Sequence, residues 1–228
     1  MDPKTTIFIA GDSTAAVKLP EKRPETGWGE AFVQYLNRHA VLDNRAINGR
    51  STKSFIKQGH LTSIESSIMP GDYLIIQFGH NDQKTEDPER GTRPYGDYQE
   101  YLLEYVETAR RNQAHPVLFT PVTRRKFDGT NTIDELSVGD FPEAMKQFAE
   151  KNQVPLLDIH KATRNFFNSM GQDESALYFM HLAPGESPNY PDGLEDNTHF
   201  NEKGAEAVAH LIAEEIKKSD LPLKDLLN

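Results

Sequence analysis

The chain has 228 residues, no cysteine, a formal net charge of −10 at neutral pH and a hydrophobic fraction of 36%. The lack of cysteine excludes disulfide bonds and thiolate chemistry. The negative charge disfavours nucleic acid and anionic membranes as partners, because like charges repel over long range. Length and composition are typical of one globular domain, so we predict a single domain over residues 1–228.

The beginning of the chain bears on where the protein acts. Met1 to Lys4 leads directly into an apolar run, without the basic segment, apolar core and small-residue cleavage site of a signal peptide. No stretch approaches the roughly 18 consecutive apolar residues that a membrane span needs. A complete sequence of this kind is expected to be cytoplasmic, whereas a secreted protein with a trimmed N-terminus would look the same.

Five apolar runs of strand length alternate with helical patterns along the chain. Runs of continuous hydrophobicity are typical of strands buried on both faces, and alternation with helices predicts right-handed crossovers and a parallel sheet. The predicted fold class is α/β, a three-layer α/β/α sandwich with a central five-stranded parallel sheet. The runs cover residues 5–10, 41–47, 73–78, 116–120 and 154–159.

Three helices are predicted from apolar residues at i, i+3, i+4 and i+7, a spacing that places them on one helix face. The clearest covers residues 98–109, and the others cover 141–149 and 204–217. Residues 171–197 are rich in Gly, Pro and Asp, which predicts a long loop. Loops of this kind are more often functional or mobile than idle.

Polar motifs follow the first three predicted strands. Gly11-Asp12-Ser13 follows the first, Asn48-Gly49-Arg50-Ser51 the second and Gly79-His80-Asn81-Asp82 the third. The carboxyl ends of parallel strands share one edge, where ligands bind, so these motifs are expected to lie together. A fourth motif, residues 196–201, precedes the last helix and could fold back over the same edge.

The four motifs contain every group that acyl transfer by serine requires. Ser13 would be the nucleophile, His199 its base, and Asp196 the carboxylate that holds the far ring nitrogen. The backbone N–H groups of Ser13 and Gly49 and the side-chain amide of Asn81 would donate to the oxyanion. A glycine at position 49 would allow close approach of the backbone.

Each motif also has a simpler interpretation when taken alone. Gly-Asp-Ser after a strand is usually a turn, and Asn-Gly is a common turn dipeptide. Asp196 and His199 with His80 could form an oxygen and nitrogen metal site, although no H-E-x-x-H spacing is present. The occurrence of all four motifs in order favours the nucleophile interpretation of Ser13 over a metal site. Asp12 and Asp82 are expected to be structural.

The order of the motifs resembles that of a known superfamily. The G-x-S-x-G elbow of the α/β-hydrolases is missing. The chain instead resembles the SGNH (GDSL-type) hydrolases, whose four signature residues would map onto Ser13, Gly49, Asn81 and His199, with Asp196 completing the triad. The resemblance spans nearly the whole chain and implies the flavodoxin-like fold of SGNH hydrolases.

Longer strings narrow the resemblance. "GDST", "NRAINGRST", "GHND" and "DNTHFNEKGA" are similar to the rhamnogalacturonan acetylesterase family, and Arg50 and His80 are the most discriminating residues. The resemblance implies hydrolysis of acetyl esters on the galacturonate residues of pectic rhamnogalacturonan through an acetyl-enzyme, without a metal or organic cofactor. The expected partner is therefore an acetylated pectic oligosaccharide or polysaccharide.

Four further residues are candidates for substrate binding. Arg50, Arg124 and Arg125 could bind the carboxylate of a uronic acid, because planar guanidinium groups bind carboxylates bidentately. The Arg124-Arg125-Lys126 run could equally be a solvated loop. His80 is predicted either to brace a loop or to contact the substrate at the edge of the site. Trp28 is expected to lie half in the core and half in the cleft wall.

Two alternative functions remain open from the sequence. An SGNH esterase or thioesterase could act on another acetylated carbohydrate such as xylan, or on a lipid acyl ester. A lipid substrate would need an apolar trough, which the composition of residues 171–197 does not favour. A carbohydrate-binding protein without catalysis would not need the complete set of Ser, Asn, Asp and His.

Overall fold

The computed structural model describes residues 4–228. Its main sheet consists of β1 (Thr5–Gly11), β2 (Ala40–Asn44), β3 (Tyr73–Gln77), β4 (His115–Phe119) and β5 (Leu156–Leu157). All neighbouring strands are parallel, in the order β2-β1-β3-β4-β5. The predicted five-stranded parallel sheet is confirmed, although the fifth strand is only two residues long and not the six-residue run expected.

The α-helices in the described part of the chain are α1 (Trp28–Phe32), α2 (Thr52–Lys57), α3 (His60–Glu65), α4 (Asp97–Arg111), α5 (Phe141–Asn152), α6 (Ile159–Ala176) and α7 (Glu202–Lys218). The predicted helices correspond to α4, α5 and α7. Helix α6 was not predicted. The carboxylate of Asp158 caps the first turn of this helix by accepting from the Lys161 N–H at 3.1 Å. The chain therefore enters α6 directly after the two residues of β5, and the strand is shorter than expected. Among residues 4–228, no helix combines the length and apolar character needed to cross a membrane.

Side chains of β1 divide the hydrophobic core into two halves. Ile7 and Ile9 pack on one face of the sheet with α1, α6 and α7. Phe8 and Ala10 pack on the other face with α2, α3, α4 and α5. Both faces are therefore covered by helices, and the three-layer sandwich is confirmed.

The strand order places a topological switch point between β1 and β3. The chain leaves β1 toward β2 on one side and crosses back to β3 on the other. Loops that leave two such strands diverge and open a crevice at the carboxyl edge of the sheet. The motifs that contain Ser13 and Asn81 lie at this crevice.

Residues 171–197 do not form the predicted irregular loop. They include the end of α6, the strand β6 (Phe179–Leu182) and the start of β7 (Leu194–Phe200), and these strands form a separate antiparallel hairpin. Gly193 has a φ of +80°, and a Cβ there would lie 2.6 Å from the carbonyl oxygen of Leu182. Only glycine fits this position. Phe179 and Phe200 anchor the hairpin in the core.

Trp28 is a core residue and not a wall of the cleft. It is 0% exposed, and its indole N–H donates to the side-chain oxygen of Gln77 at 2.9 Å. The expectation of a half-exposed position was wrong, because α1 turns the ring under the sheet against Phe32 and Phe119.

Candidate active site

Ser13 lies just beyond the end of β1, at the carboxyl edge of the sheet. It is 8% exposed, and its Oγ lies 2.8 Å from Nε2 of His199. The buried carboxylate of Asp12 accepts hydrogen bonds from the backbone N–H and hydroxyl of Thr14, at 2.9 and 2.7 Å. Asp12 therefore shapes the turn from which the Ser13 hydroxyl faces His199, a structural role of the kind predicted.

His199 lies between Ser13 and Asp196. Its Nδ1 is 2.7 Å from Oδ2 of Asp196. Because an ionised carboxylate only accepts, Nδ1 carries the hydrogen and Nε2 accepts from the Ser13 hydroxyl. Burial would raise the pKa of Asp196, but the hydrogen bond and charge of His199 and two backbone N–H groups lower that pKa to about 2. Asp196 is thus ionised at neutral pH and fixes the tautomer of His199.

A large bulge in β7 carries these two residues to the site. Phe179 of β6 pairs with Phe200, while the next residue, Met180, pairs with Asp196. One step along β6 therefore corresponds to four along β7, and residues 197–199 arch out of the ladder. The carboxylate of Asp196 accepts from two backbone N–H groups of the arch at 2.7 and 3.1 Å. The same side chain therefore shapes the arch and holds the imidazole.

The three predicted oxyanion donors follow three neighbouring strands. Among the hydrogen bonds within residues 4–228, none uses the backbone N–H of Ser13 or Gly49. The side-chain amide of Asn81 donates to the carbonyl of Arg50 at 3.0 Å, and this bond uses one of its two hydrogens. All three groups retain a hydrogen for a bound ligand.

The backbone conformation at position 49 explains the glycine. Gly49 has a φ of +75°, in the left-handed region that other residues rarely adopt. A Cβ there would meet no described protein atom within 4 Å. Glycine is therefore needed at position 49 for the left-handed backbone conformation of the turn, because a Cβ at this position would not clash.

His80 lies behind the nucleophile and not at the outer edge of the site. It is buried, and its Nδ1 lies 3.1 Å from the carboxylate of Asp12. Burial lowers the pKa of His80, against the raising effect of Asp12. Its Nε2 is buried without a partner among residues 4–228. The structural interpretation of His80 fits this position, since the side chain ties the loop after β3 to the loop after β1.

Asp82 is a second buried carboxylate on this side of the site. It accepts from the hydroxyl of Thr52 at 2.5 Å and from that of Thr92 at 3.0 Å. Burial raises the pKa of Asp82 to about 7, although these hydrogen bonds oppose the shift. The side chain braces the start of α2 against the loop after β3, in line with the expected structural role.

Two of the predicted arginines border the site. The guanidinium of Arg50 donates to the carbonyl of Asn48 at 3.0 Å. That of Arg124 donates to the carbonyl of His80 at 3.2 Å, to Oε1 of Gln83 at 3.3 Å and to the hydroxyl of Thr198. Arg124 thereby joins the loop after β3 to the bulge of β7.

Arg125 is committed to protein groups. Its guanidinium donates to Oδ1 of Asn197 at 2.7 Å, to Oγ of Ser175 at 3.1 Å and to the carbonyl of Gln172. Its backbone N–H also donates to the carbonyl of Asn197. The residue is buried and fastens the hairpin to α6, so its predicted contact with a substrate carboxylate has no support in this geometry.

Sequence reasoning missed three residues around the site. Lys18 is buried beside Ser13, and Arg90 reaches within 3.5 Å of Oδ1 of Asn81. The side-chain oxygen of Gln77 accepts from the hydroxyl of Thr14 at 3.1 Å. Gln77 and Lys18 could both have been noticed as polar residues among apolar neighbours, whereas Arg90 lies in a polar loop that carries no such signal.

The site joins a hydroxyl, an imidazole and an ionised carboxylate in series, beside two backbone N–H groups that make no hydrogen bond within residues 4–228 and an amide with one hydrogen left to donate. This arrangement activates a serine hydroxyl and stabilises an oxyanion, and it defines the class of serine hydrolases. Within residues 4–228, no group of three or more His, Cys, Asp or Glu side chains is placed to hold a metal ion.

Residues 9–207 match the GDSL-like lipase/acylhydrolase family, and the chain belongs to this family. It is 46% identical to the rhamnogalacturonan acetylesterase RhgT of Bacillus subtilis, over 97% of this chain and 93% of that protein. It is 38% identical to the probable rhamnogalacturonan acetylesterase YesY of the same organism, over 96% and 95%. The predicted superfamily is confirmed, and the protein is a carboxylic ester hydrolase.

A solved structure supports the fold independently. The crystal structure of YxiM from Bacillus subtilis superposes with a TM-score of 0.81 at 24% identity. The match covers 96% of this chain and 58% of that protein, so the chain spans little more than half of YxiM.

Proposed function

We propose that this protein is a serine esterase that removes acetyl groups from rhamnogalacturonan or its oligosaccharides. The observation that carries the reaction is the hydrogen-bonded chain from Ser13 through His199 to Asp196, with distances of 2.8 and 2.7 Å. The substrate is proposed from the names of the two acetylesterase relatives, which align with nearly the whole chain.

The reaction proceeds in two half-reactions. The Ser13 oxygen attacks the acetyl carbonyl carbon while Nε2 of His199 takes the hydroxyl proton. The carbonyl oxygen becomes an oxyanion, which accepts from the N–H groups of Ser13 and Gly49 and from the amide of Asn81. The C–O bond to the sugar then breaks, and His199 returns the proton to the leaving sugar oxygen.

Water completes the cycle. His199 takes a proton from a water molecule whose oxygen attacks the acetyl-enzyme carbonyl. The same donors hold the second oxyanion; the bond between the acetyl carbon and the Ser13 oxygen then breaks, that oxygen takes the proton back from His199, and acetic acid leaves and ionises to acetate. Asp196 remains ionised throughout and stabilises the imidazolium that forms in each half-reaction.

Positive charge near Asn81 supports an acidic sugar as substrate. Arg124 and Arg90 reach this edge and Lys84 lies near both, although Arg90 is also paired with Asp87 at 2.6 Å. Burial lowers the pKa of Lys84, and the charges of Arg90 and Arg124 lower it further. Such a cluster attracts a carboxylate although the chain as a whole is negative, since charges interact mainly within a Debye length of about 8–10 Å.

Acetate release from four substrates tests the proposal. Acetylated rhamnogalacturonan, homogalacturonan, xylan and a simple aryl acetate are compared at equal acetyl concentration. We expect the highest kcat/KM on rhamnogalacturonan, by roughly 10-fold or more over xylan, because contacts with the sugar discriminate by about 1–3 kcal/mol. A preference for xylan would overturn the substrate assignment and leave the mechanism in place.

The Ser13→Ala variant is the control for the reaction itself. It should lose roughly 10⁴- to 10⁶-fold in kcat on all four substrates. An aryl phosphonate should label the wild-type protein at Ser13 and leave the variant unlabelled. A protein that binds the polysaccharide without labelling or acetate release would instead be a binding module.

A further inference from the structure

Lys18 reverses the usual relation between polarity and burial. In the sequence Val17-Lys18-Leu19, the two apolar side chains are 57% and 64% exposed, whereas the lysine side chain is 0% exposed. A buried ammonium is costly unless its hydrogen-bond donors are satisfied. The position of Lys18 therefore requires a compensating set of partners.

The ammonium of Lys18 has three hydrogens and three acceptors. It donates to the backbone carbonyl of Ser13, to Oδ1 of Asn48 at 2.7 Å and to the carboxylate of Glu25 at 2.7 Å. Burial lowers the pKa of Lys18, while the hydrogen bond and charge of Glu25 oppose that shift. Glu25 thus favours the charged form of the ammonium, and the other two contacts reach the loops of the active site.

Those two loops carry the backbone donors of the proposed oxyanion hole. Ser13 supplies one N–H, and Asn48 immediately precedes Gly49, which supplies the other. The loops are joined at their base by a hydrogen bond from the Ile47 N–H to the carbonyl of Gly11, at 3.0 Å. Lys18 joins them again further out, through charge-assisted bonds that are stronger than neutral ones.

We propose that Lys18 is a positioning residue of the oxyanion hole, whose ammonium clamps the Ser13 loop to the Asn48-Gly49 turn and so sets the separation of the two backbone donors. The inference rests on the proposed function of Ser13. A donor that is misplaced by about 1 Å can cost about 100-fold in rate. The clamp acts on the transition state, where the oxyanion exists, and much less on binding of the ester.

The first test is the Lys18→Met variant, which keeps the length of the side chain and removes charge and donors. On an aryl acetate, kcat should fall about 10- to 100-fold while KM stays within about twofold, because only the transition state loses an interaction. Phosphonylation of Ser13 should slow by a similar factor, since the phosphonate oxygen occupies the same hole. A folded variant with wild-type kcat would overturn the proposal.

Two further variants separate positioning from stability. Glu25→Gln keeps an acceptor for the ammonium but removes the charge that favours its protonated form, so kcat should fall less than in Lys18→Met and the loss should grow as pH rises, even if Tm falls. Asn48→Ala, at an exposed residue, removes only the contact on the Gly49 side and should lower kcat about 10-fold. Unchanged kcat in Asn48→Ala would contradict the clamp even if Lys18→Met does not fold.

Ser13→Ala in the same assay distinguishes the two proposals. If Ser13→Ala hydrolyses the aryl acetate as fast as the wild type, the function proposed for Ser13 has failed. If Ser13→Ala is inactive and the Lys18 and Asn48 variants retain wild-type kcat, only the clamp has failed.

Discussion

The two halves of the active site are built in different ways. Ser13, Gly49 and Asn81 follow β1, β2 and β3, three adjacent strands of the main sheet in which β1 pairs with both of the others. Asp196 and His199 lie in a two-stranded hairpin outside the main sheet. The nucleophile and oxyanion donors are thus fixed by the core of the fold, whereas the base and its carboxylate are brought in by a separate element.

The two halves of the active site also differ in how deeply their side chains are buried. Asp12 and Asn81 are buried, whereas the side chains of Asp196 and His199 are 26% and 28% exposed. A general base has to exchange protons with substrate and water, so partial exposure suits His199. The rigid half can hold the oxyanion, and the more open half can transfer the proton.

Removing the carboxylate of Asp196 should lower kcat more than any of the following changes. In Asp196→Asn, the amide oxygen should stay with the two backbone N–H groups of the arch, so the NH2 group faces Nδ1 of His199 and donates to it. The histidine then carries its hydrogen on Nε2 and loses the tautomer that accepts from Ser13. We expect kcat on an aryl acetate to fall about 10⁴-fold, as for the equivalent change in other serine hydrolases.

The matched control for Asp196→Asn is Glu195→Gln, which removes the same charge from the neighbouring exposed residue. Its kcat should stay within about twofold of wild type. Equal losses in the two variants would show that the hairpin acts through its total charge, contrary to the orientation role given to Asp196.

The same division explains what could be predicted from the sequence. Ser13, Gly49 and Asn81 directly follow apolar runs, and the rule that parallel strands end at one edge brings them together. Asp196 and His199 were predicted from the fourth motif, but the hairpin that carries them was not. Strand β7 reads Leu-Glu-Asp-Asn-Thr-His-Phe with only Phe200 fully buried, so it shows neither an apolar run nor alternation. Its position depends on long-range contacts of Phe179 and Phe200 with the core.

Adjacent arginines illustrate a second limit. Arg124 borders the site, and Arg125 turns into the protein to bind Asn197 and α6. Consecutive residues point in opposite directions in extended chain, so the sequence alone could not assign the two side chains. The structure shows that Arg125 fastens the hairpin, which suggests a way to loosen one half of the site and leave the other intact.

Loosening the hairpin should have a smaller effect than Asp196→Asn. Arg125→Met keeps the apolar stem and removes the hydrogen bonds to Asn197, Ser175 and Gln172. We expect kcat to fall about 10-fold through misplacement of His199, and amide hydrogen exchange to rise across residues 194–200. Exchange in β1 and β3 should stay unchanged.

Lys126→Met is the matched control, since Lys126 is the exposed neighbour of Arg125 and pairs only with Asp134 among residues 4–228. It should leave both kcat and exchange at wild-type values. A uniform rise in exchange over the whole chain in Arg125→Met would indicate global destabilisation and contradict a local fastening role.

The two halves also differ in how their carboxylates respond to pH. The pKa of Asp82, beside the sheet, is raised to about 7, and that of Asp196, in the hairpin, is lowered to about 2. The ordinary value is 3.8 for both. Folding therefore favours the protonated form of Asp82 and the ionised form of Asp196, and linkage gives the two groups opposite slopes of stability with pH.

The last prediction concerns stability and not kcat: each carboxylate should change how the free energy of unfolding varies with pH. As pH rises from 3.8 to about 7, the folded state binds more protons at Asp82 than the unfolded state does, so this group lowers the free energy of unfolding across that window. Asp196 contributes stability above pH 3.8 that is lost as pH falls toward 2. Urea unfolding between pH 2 and 8 should show a flatter profile above pH 4 in Asp82→Asn and a flatter profile below pH 4 in Asp196→Asn. If each variant instead altered both limbs equally, the two carboxylates would titrate as one coupled system and the division between the halves of the site would not hold for their electrostatics.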